Sequence, residues 1–143
     1  MRIFVTGACG FIGSHLVEKL IKNNYKVRAL TYYNPHDSIG CLKYLNKKIF
    51  DKLEIINGDV RDLQLISNCT KRTDVIIHLA ALIGIPYSYH AVKSYIDTNV
   101  NGTFNILNAA RINKVKKILI TSTSEVYGSA REVPIKETHP LNA

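Results

Sequence analysis

A doubly wound parallel α/β sheet is the fold class that this 143-residue sequence predicts, and three observations predict it. Strand-like and helix-like runs alternate along the chain, the order that builds a parallel sheet with helices on both faces. The apolar run Lys117-Ile118-Leu119-Ile120 reads as a strand buried on both faces. A glycine-rich turn, Thr6-Gly7-Ala8-Cys9-Gly10-Phe11-Ile12-Gly13, joins the first strand to the first helix.

The elements follow in order. A strand over Arg2–Thr6 precedes a helix over Ile12–Asn23 and a second strand over Lys26–Thr31. A polar segment carries a helix around Ile39–Phe50, then come a strand at Leu53–Asn57 and a short helix near Asp62–Cys69, with Asp62 placed to cap it. A strand at Asp74–His78 leads into a long helical stretch, Tyr89–Ile112, and a last strand at Lys116–Thr121. In the long stretch Val92, Ile96, Val100, Thr103, Leu107 and Ala110 recur at spacings of three or four and define one apolar face. Gly102 marks a kink or a close packing contact within it. Right-handed crossovers then favour strand order 3-2-1-4-5, with the sheet truncated after the fifth strand.

Composition bounds the function. A chain this long buries about 70% of its unfolded surface, and 46% hydrophobic with 21% charged residues is the balance of a globular domain. No apolar run approaches the roughly 18 residues that span a bilayer, and Met1 runs straight into a strand without room for a signal peptide. Cys9, Cys41 and Cys69 are dispersed and odd in number, which argues for free thiols in a cytoplasmic setting, without a disulfide frame or metal site. The net charge of +8 is spread over most of the chain without interleaved aromatics, so it reads as a solvated surface rather than a nucleic-acid site.

The turn carries the first chemistry. Gly7 can make the tight turn, Gly10 admits a pyrophosphate, Gly13 permits close packing, and the helix N-terminus offers free N–H groups to phosphates. Cys9, Phe11 and Ile12 belong to the same cradle. Between a strand and a helix, this is a strong dinucleotide signal. The spacing resembles the Thr-Gly-x-x-Gly-x-x-Gly of the extended short-chain dehydrogenase/reductase superfamily, the sugar-nucleotide epimerases and dehydratases, over essentially the whole chain. The resemblance implies a Rossmann-like NAD-binding domain over residues 1–143. It implies an adenine site at Gly58-Asp59-Val60-Arg61-Asp62, with Asp59 on the adenine amine and Val60 against the ring. It also implies close cofactor approach at Leu79, Ala80 and Ala81, a bracing role for Asn99, and cofactor contacts from Thr31, Tyr32 and Ser122. His78 ends an apolar strand and reads as a hydrogen-bonded core histidine rather than a catalytic one. The end of the second strand, Leu30-Thr31-Tyr32-Tyr33-Asn34, lacks the usual ribose-binding acid before Asp37 and has no arginine just after it for a 2′-phosphate. NAD is favoured and NADP stays open, since an unneutralised phosphate is worse than one lost hydrogen bond.

The fifth strand opens on Thr121-Ser122-Thr123-Ser124-Glu125-Val126-Tyr127-Gly128, at the carboxyl end where ligands bind in open α/β sheets. The resemblance makes Thr123 the hydroxyl that meets the sugar hydroxyl being oxidised. Ser124 and Glu125 resemble the pair carried by nucleotide-sugar 4,6-dehydratases of the bacterial UDP-N-acetylglucosamine type. Glu125 would take the C5 proton once C4 is oxidised, water would leave from C6 and the hydride would return there. The loop 81–89 resembles theirs, with Ile83 and Ser88 on the substrate side. UDP-glucuronate decarboxylases share the Thr-Ser-Glu-Val-Tyr-Gly run, and a UDP-sugar 4-epimerase or a non-catalytic dinucleotide-binding module are the other readings. Against all of these, Glu125 could merely start a surface turn. The superfamily's Tyr-x-x-x-Lys pair would follow Glu137–Ala143, so the sequence reads as the cofactor half of a larger, dimeric enzyme and is inactive alone. Tyr44 with Lys48 and Tyr89 with Lys93 match that spacing out of order and are rejected.

Overall fold

The computed structural model describes residues 1–36 and 38–142. Five parallel strands form one sheet in the order β3-β2-β1-β4-β5, as the crossover rule predicts. They are β1 (Arg2–Thr6), β2 (Lys26–Tyr32), β3 (Glu54–Gly58), β4 (Val75–His78) and β5 (Lys117–Ile120). Ile3 and Val5 of β1 turn to one face, with Val17 and Ile21 of α1 (Phe11–Lys22), Val27, Ala29 and Leu42. Phe4 turns to the other, with Ile66 and Cys69 of α3 (Leu63–Cys69), Ile76, and Ile106 and Ala109 of the last long helix. Period-two alternation on a sheet covered twice produces these two clusters.

Three expectations need correction. Residues 39–50 are not one helix but a 3₁₀ turn at Gly40–Tyr44 and a single helical turn, α2 (Lys47–Phe50). Leu45 is extended between them, and the Asn46 side chain accepts from the Lys48 N–H to start α2 afresh. Likewise the stretch before Ile112 is built in parts: α4 (Ile85–Ser88), α5 (Val92–Tyr95), a π-turn (Ile96–Asn101) and α6 (Gly102–Ile112). Its buried residues are Gly102, Asn105, Ile106, Ala109 and Ala110, whereas Val92, Ile96, Val100 and Leu107 of the expected core face are exposed. The core chose the small residues because the neighbouring β3–α3 segment comes close. A Cβ on Gly102 would stand 2.7 Å from Val60 Cγ2. Finally, β5 is an edge strand with Leu119 and Ile120 exposed, not buried on both faces.

Asp62 caps α3 as expected, its carboxylate accepting from Leu65 N–H at 3.0 Å. Among the described residues, no helix is long and apolar enough to cross a membrane.

Candidate functional site

The carboxyl ends of the neighbouring strands β1, β4 and β5 carry their loops side by side. Beyond the ladder, Leu79 N–H donates to the Thr6 carbonyl at 3.3 Å and Thr121 N–H to the His78 carbonyl at 3.2 Å. The glycine-rich turn, the 79–82 segment and the Thr121–Glu125 segment therefore follow one another along a single sheet edge.

The turn is tight for stated reasons. Gly7 has φ +67°, and a Cβ there would meet the Leu79–Ala80 backbone at 2.8 Å. At Gly13 a Cβ would lie 2.2 Å from the Gly7 carbonyl. Gly10 differs, because its only neighbour would be the Gly7 oxygen at 3.4 Å, an ordinary contact. Nothing inside the protein requires glycine at position 10, so the free space there is a cradle that a Cβ would fill. Gly10 is also the N-cap of α1 and makes no side-chain cap. The first helical N–H groups and their partial positive charge consequently face outward, with Phe11 and Ile12 exposed beside them and Cys9 half-buried behind. This donor set fits the pyrophosphate of a dinucleotide.

One hydrogen-bonded chain runs under the site. Ala80 N–H donates to Thr6 Oγ1 (3.2 Å), Thr6 Oγ1 lies 2.6 Å from His78 Nδ1, and His78 Nε2 lies 3.1 Å from Thr103 Oγ1. Thr103 in turn donates to the Asn99 carbonyl at 2.7 Å. The donors then have only one consistent order: Thr103 accepts from Nε2–H, and Nδ1 accepts from the Thr6 hydroxyl. His78 is thus a neutral core histidine, and burial pushes its pKa down to about 4. Asn99 extends the chain, accepting from Leu82 N–H and donating to the Leu82 carbonyl, both at 2.8 Å. It braces the loop after β4 as a two-point clamp. Tyr95 adds a bond from its hydroxyl to the Gly84 carbonyl at 2.5 Å. Thr6 opens the glycine-rich motif and Thr103 falls on the expected apolar face, but nothing in the sequence signals that both hydroxyls bond to His78.

Just after β3, Asp59 makes a bidentate pair with Arg61, closest at 2.6 Å, and accepts from Arg61 N–H at 2.8 Å. Burial pushes the Asp59 carboxyl up, but the bonds and charge of Arg61 outweigh it and hold the carboxyl below its ordinary value. The Asp-x-Arg spacing was the available signal for this partner. Val60 is buried against Gly102, and the Thr31 hydroxyl is buried and turned to Asn57 Oδ1 at 2.5 Å. Both side chains are committed to the core, so a ligand would reach only their backbones. Tyr32 is exposed at the same strand end. Asp37 lies outside the described residues.

After β5, Ser122, Thr123, Ser124 and Glu125 are all exposed. Thr123 caps a 3₁₀ turn (Ser124–Tyr127), its Oγ1 accepting from Glu125 N–H at 3.3 Å. An accepting hydroxyl keeps its proton, so Thr123 can still donate to a ligand. In the loop after β4, Ile83 is exposed and the Ser88 hydroxyl donates to the Ile85 carbonyl at 2.7 Å. Leu79 and Ala80 are half-buried behind it and Ala81 is exposed. The rejected pairs are not helical pairs: Tyr44 and Lys48 straddle the extended Leu45, and Tyr89 and Lys93 straddle Ala91, which lies outside both α4 and α5. Among the described residues, no cluster of His, Cys, Asp or Glu could hold a metal ion.

The family described as GDP-mannose 4,6 dehydratase matches residues 4–143. A UDP-N-acetyl-alpha-D-glucosaminuronate decarboxylase of Bacillus cytotoxicus is 37% identical over 89% of this chain and 38% of its own length. The solved dTDP-glucose 4,6-dehydratase DesIV of Streptomyces venezuelae, with NAD and TYD bound, is 32% identical with a TM-score of 0.76, over 99% of this chain and 45% of that one. A UDP-glucose 4-epimerase of Bifidobacterium longum with NAD⁺ and UDP is 29% identical with a TM-score of 0.82, over 99% of this chain and 43% of that one. The chain therefore spans under half the length of these relatives. It belongs to the GDP-mannose 4,6-dehydratase family, within the NAD-dependent epimerases and dehydratases of nucleotide sugars.

Proposed function

We propose that this chain is the dinucleotide-binding, amino-terminal part of an NAD-dependent 4,6-dehydratase of a nucleotide-linked hexose. The observation that carries the reading is the nearness of Thr123 and Glu125 after the carboxyl end of β5, where the Glu125 N–H donates to the Thr123 hydroxyl and both side chains are exposed. Gly10 and the α1 N-terminus would hold the pyrophosphate of NAD, and Asp59 with the Val60 backbone the adenosine end. When bound, NAD supplies reversible hydride transfer at the sugar. Thr123 would orient the C4 hydroxyl, Ser124 would line the same face, and Glu125 would remove the C5 proton whose loss expels water from C6. The clamp of Asn99 on Leu82 would fix the loop bearing Ile83 and Ser88, which would contact the sugar nucleotide in this reading.

A decarboxylase or 4-epimerase remains the alternative, and the products separate them. The complete enzyme, supplied with a nucleotide-linked N-acetylhexosamine, is expected to release a 4-keto-6-deoxy sugar nucleotide. A 4-epimer, or CO₂ from a uronic acid substrate, would replace this reading. A homodimer belongs to the same proposal, supported by the exposed apolar stripe of Val92, Ile96, Val100, Phe104 and Leu107.

A further inference from the structure

Two cysteines meet at the glycine-rich turn. Cys9 lies inside it, and Cys41 is the second residue of the 3₁₀ turn Gly40–Tyr44. The Cys41 N–H donates to the Cys9 carbonyl at 2.8 Å. A direct backbone bond of this kind sets two Cα atoms roughly 5–6 Å apart, inside the window of about 4.4–6.8 Å that disulfides occupy. The Cys9 side chain lies against the residue that precedes Cys41, since a Cβ built on Gly40 would lie 3.1 Å from Cys9 Cβ. Both thiols are free and half-buried. The third, Cys69, is buried on the opposite face of the sheet with Phe4 and Ile66, where burial pushes its thiol pKa up.

We propose that Cys9 and Cys41 form a redox-responsive pair that closes into an intramolecular disulfide, tying the glycine-rich turn to the Gly40–Tyr44 segment and weakening dinucleotide binding. The oxidant is a small-molecule disulfide. One cysteine thiolate attacks it, breaking its S–S bond and releasing one thiol. The second cysteine thiolate then attacks the mixed disulfide and releases the other. Two protein thiols are oxidised, one external disulfide is reduced to two thiols, and both protons end on the released thiols. Weakening follows from packing. An S–S bond of about 2.04 Å draws Cys9 toward Cys41, while Ala8 is buried and Gly13 has no space to give. The displacement must appear in the Gly10–Ile12 N–H groups that would face the phosphates. This second effect rests on the dinucleotide reading, whereas the disulfide does not.

The test exposes the chain to oxidised glutathione, counts thiols, maps disulfides by non-reducing peptide mass analysis, and titrates NAD by calorimetry before and after reduction. Loss of two of the three thiols, a Cys9–Cys41 cross-linked peptide and retention of the Cys69 thiol are expected. Cys41→Ser should instead keep a glutathione on Cys9. The NAD Kd is expected to rise about fivefold or more on oxidation and to return with reductant. Three retained thiols, a stable mixed disulfide in the unaltered chain, or a bridge through Cys69 would overturn the pair. A Cys9–Cys41 disulfide with unchanged NAD affinity would overturn the coupling. A reduced chain that binds no NAD would contradict the dinucleotide reading, and the peptide map would still decide the disulfide.

Discussion

The Nδ1 atom of His78 lies 2.6 Å from the Thr6 hydroxyl, across the seam between β4 and β1 and directly beneath the glycine-rich turn. That contact joins the strand that launches the turn to the chain of bonds reaching Thr103 and Asn99. Thr6→Val keeps the shape but leaves His78 Nδ1 and Ala80 N–H without partners. Each orphaned group costs about 1–3 kcal/mol, so a loss of about 2–6 kcal/mol is expected. Urea unfolding should show a lower midpoint with an unchanged slope.

The same histidine sets a pH dependence. Its folded pKa, about 4, lies below its ordinary 6.5, so the unfolded chain takes up the proton first as pH falls. Stability is therefore full above 6.5 and declines between 6.5 and 4, by about 3 kcal/mol from this group. Asp59 and Asp74 act in a separate, lower window. Hydrogen bonds from Arg61 and from the Arg2 N–H outweigh desolvation and hold them below their ordinary 3.8. Their contributions are present above that value and are lost below it. In His78→Gln the decline between 6.5 and 4 should flatten while the lower one remains. Denaturant midpoints measured from pH 7.5 to 3 check both.

Gly10 and Gly13 should respond oppositely to a methyl group. Gly13→Ala drives a Cβ to 2.2 Å from the Gly7 carbonyl, and the turn cannot accept it. Loss of several kcal/mol, or failure to fold, is expected (about 3 or more). Gly10→Ala meets only a 3.4 Å contact on an extended backbone, so stability should change by less than about 1 kcal/mol. NAD affinity, however, should fall at least about tenfold, and Gly10→Val should abolish binding. Calorimetry showing equal affinity in the valine variant would contradict the pyrophosphate cradle.

Self-association should follow the exposed stripe. Val92, Ile96, Val100 and Phe104 form an apolar surface on α5, the π-turn and α6, and β5 leaves a sheet edge beside Leu119 and Ile120. Val100→Lys with Phe104→Glu should reduce oligomers in sedimentation velocity without lowering thermal stability, because neither residue is in the core.

Strand order was legible because right-handed crossovers leave few ways to thread five parallel strands. The turn was legible because three glycines stood between a strand and a helix. The core face of the long helical stretch was not. Two neighbouring faces of α6 are apolar, and spacing cannot say which will meet a close neighbour. Ala110 of the expected face is buried, but Gly102, Asn105, Ile106 and Ala109 fill the rest of the core because Val60 and Ile66 approach so near. Thr31 pointed at the cofactor by position along β2, but the pleat turns its hydroxyl to Asn57. The π-turn hides because a wider helical turn has no residue signature.

The role of Glu125 is tested most directly in the complete enzyme by Glu125→Gln, which keeps nearly the same volume and removes the base. Oxidation at C4 needs Thr123 and the cofactor but not this carboxylate, so reduced-nicotinamide absorbance should rise within a single turnover and persist. Elimination should slow by about 10²–10⁴-fold, or about 3–5 kcal/mol, with little exchange of the C5 proton into solvent. Unchanged dehydration by Glu125→Gln, with no accumulated absorbance, would contradict the account and return Glu125 to an exposed turn.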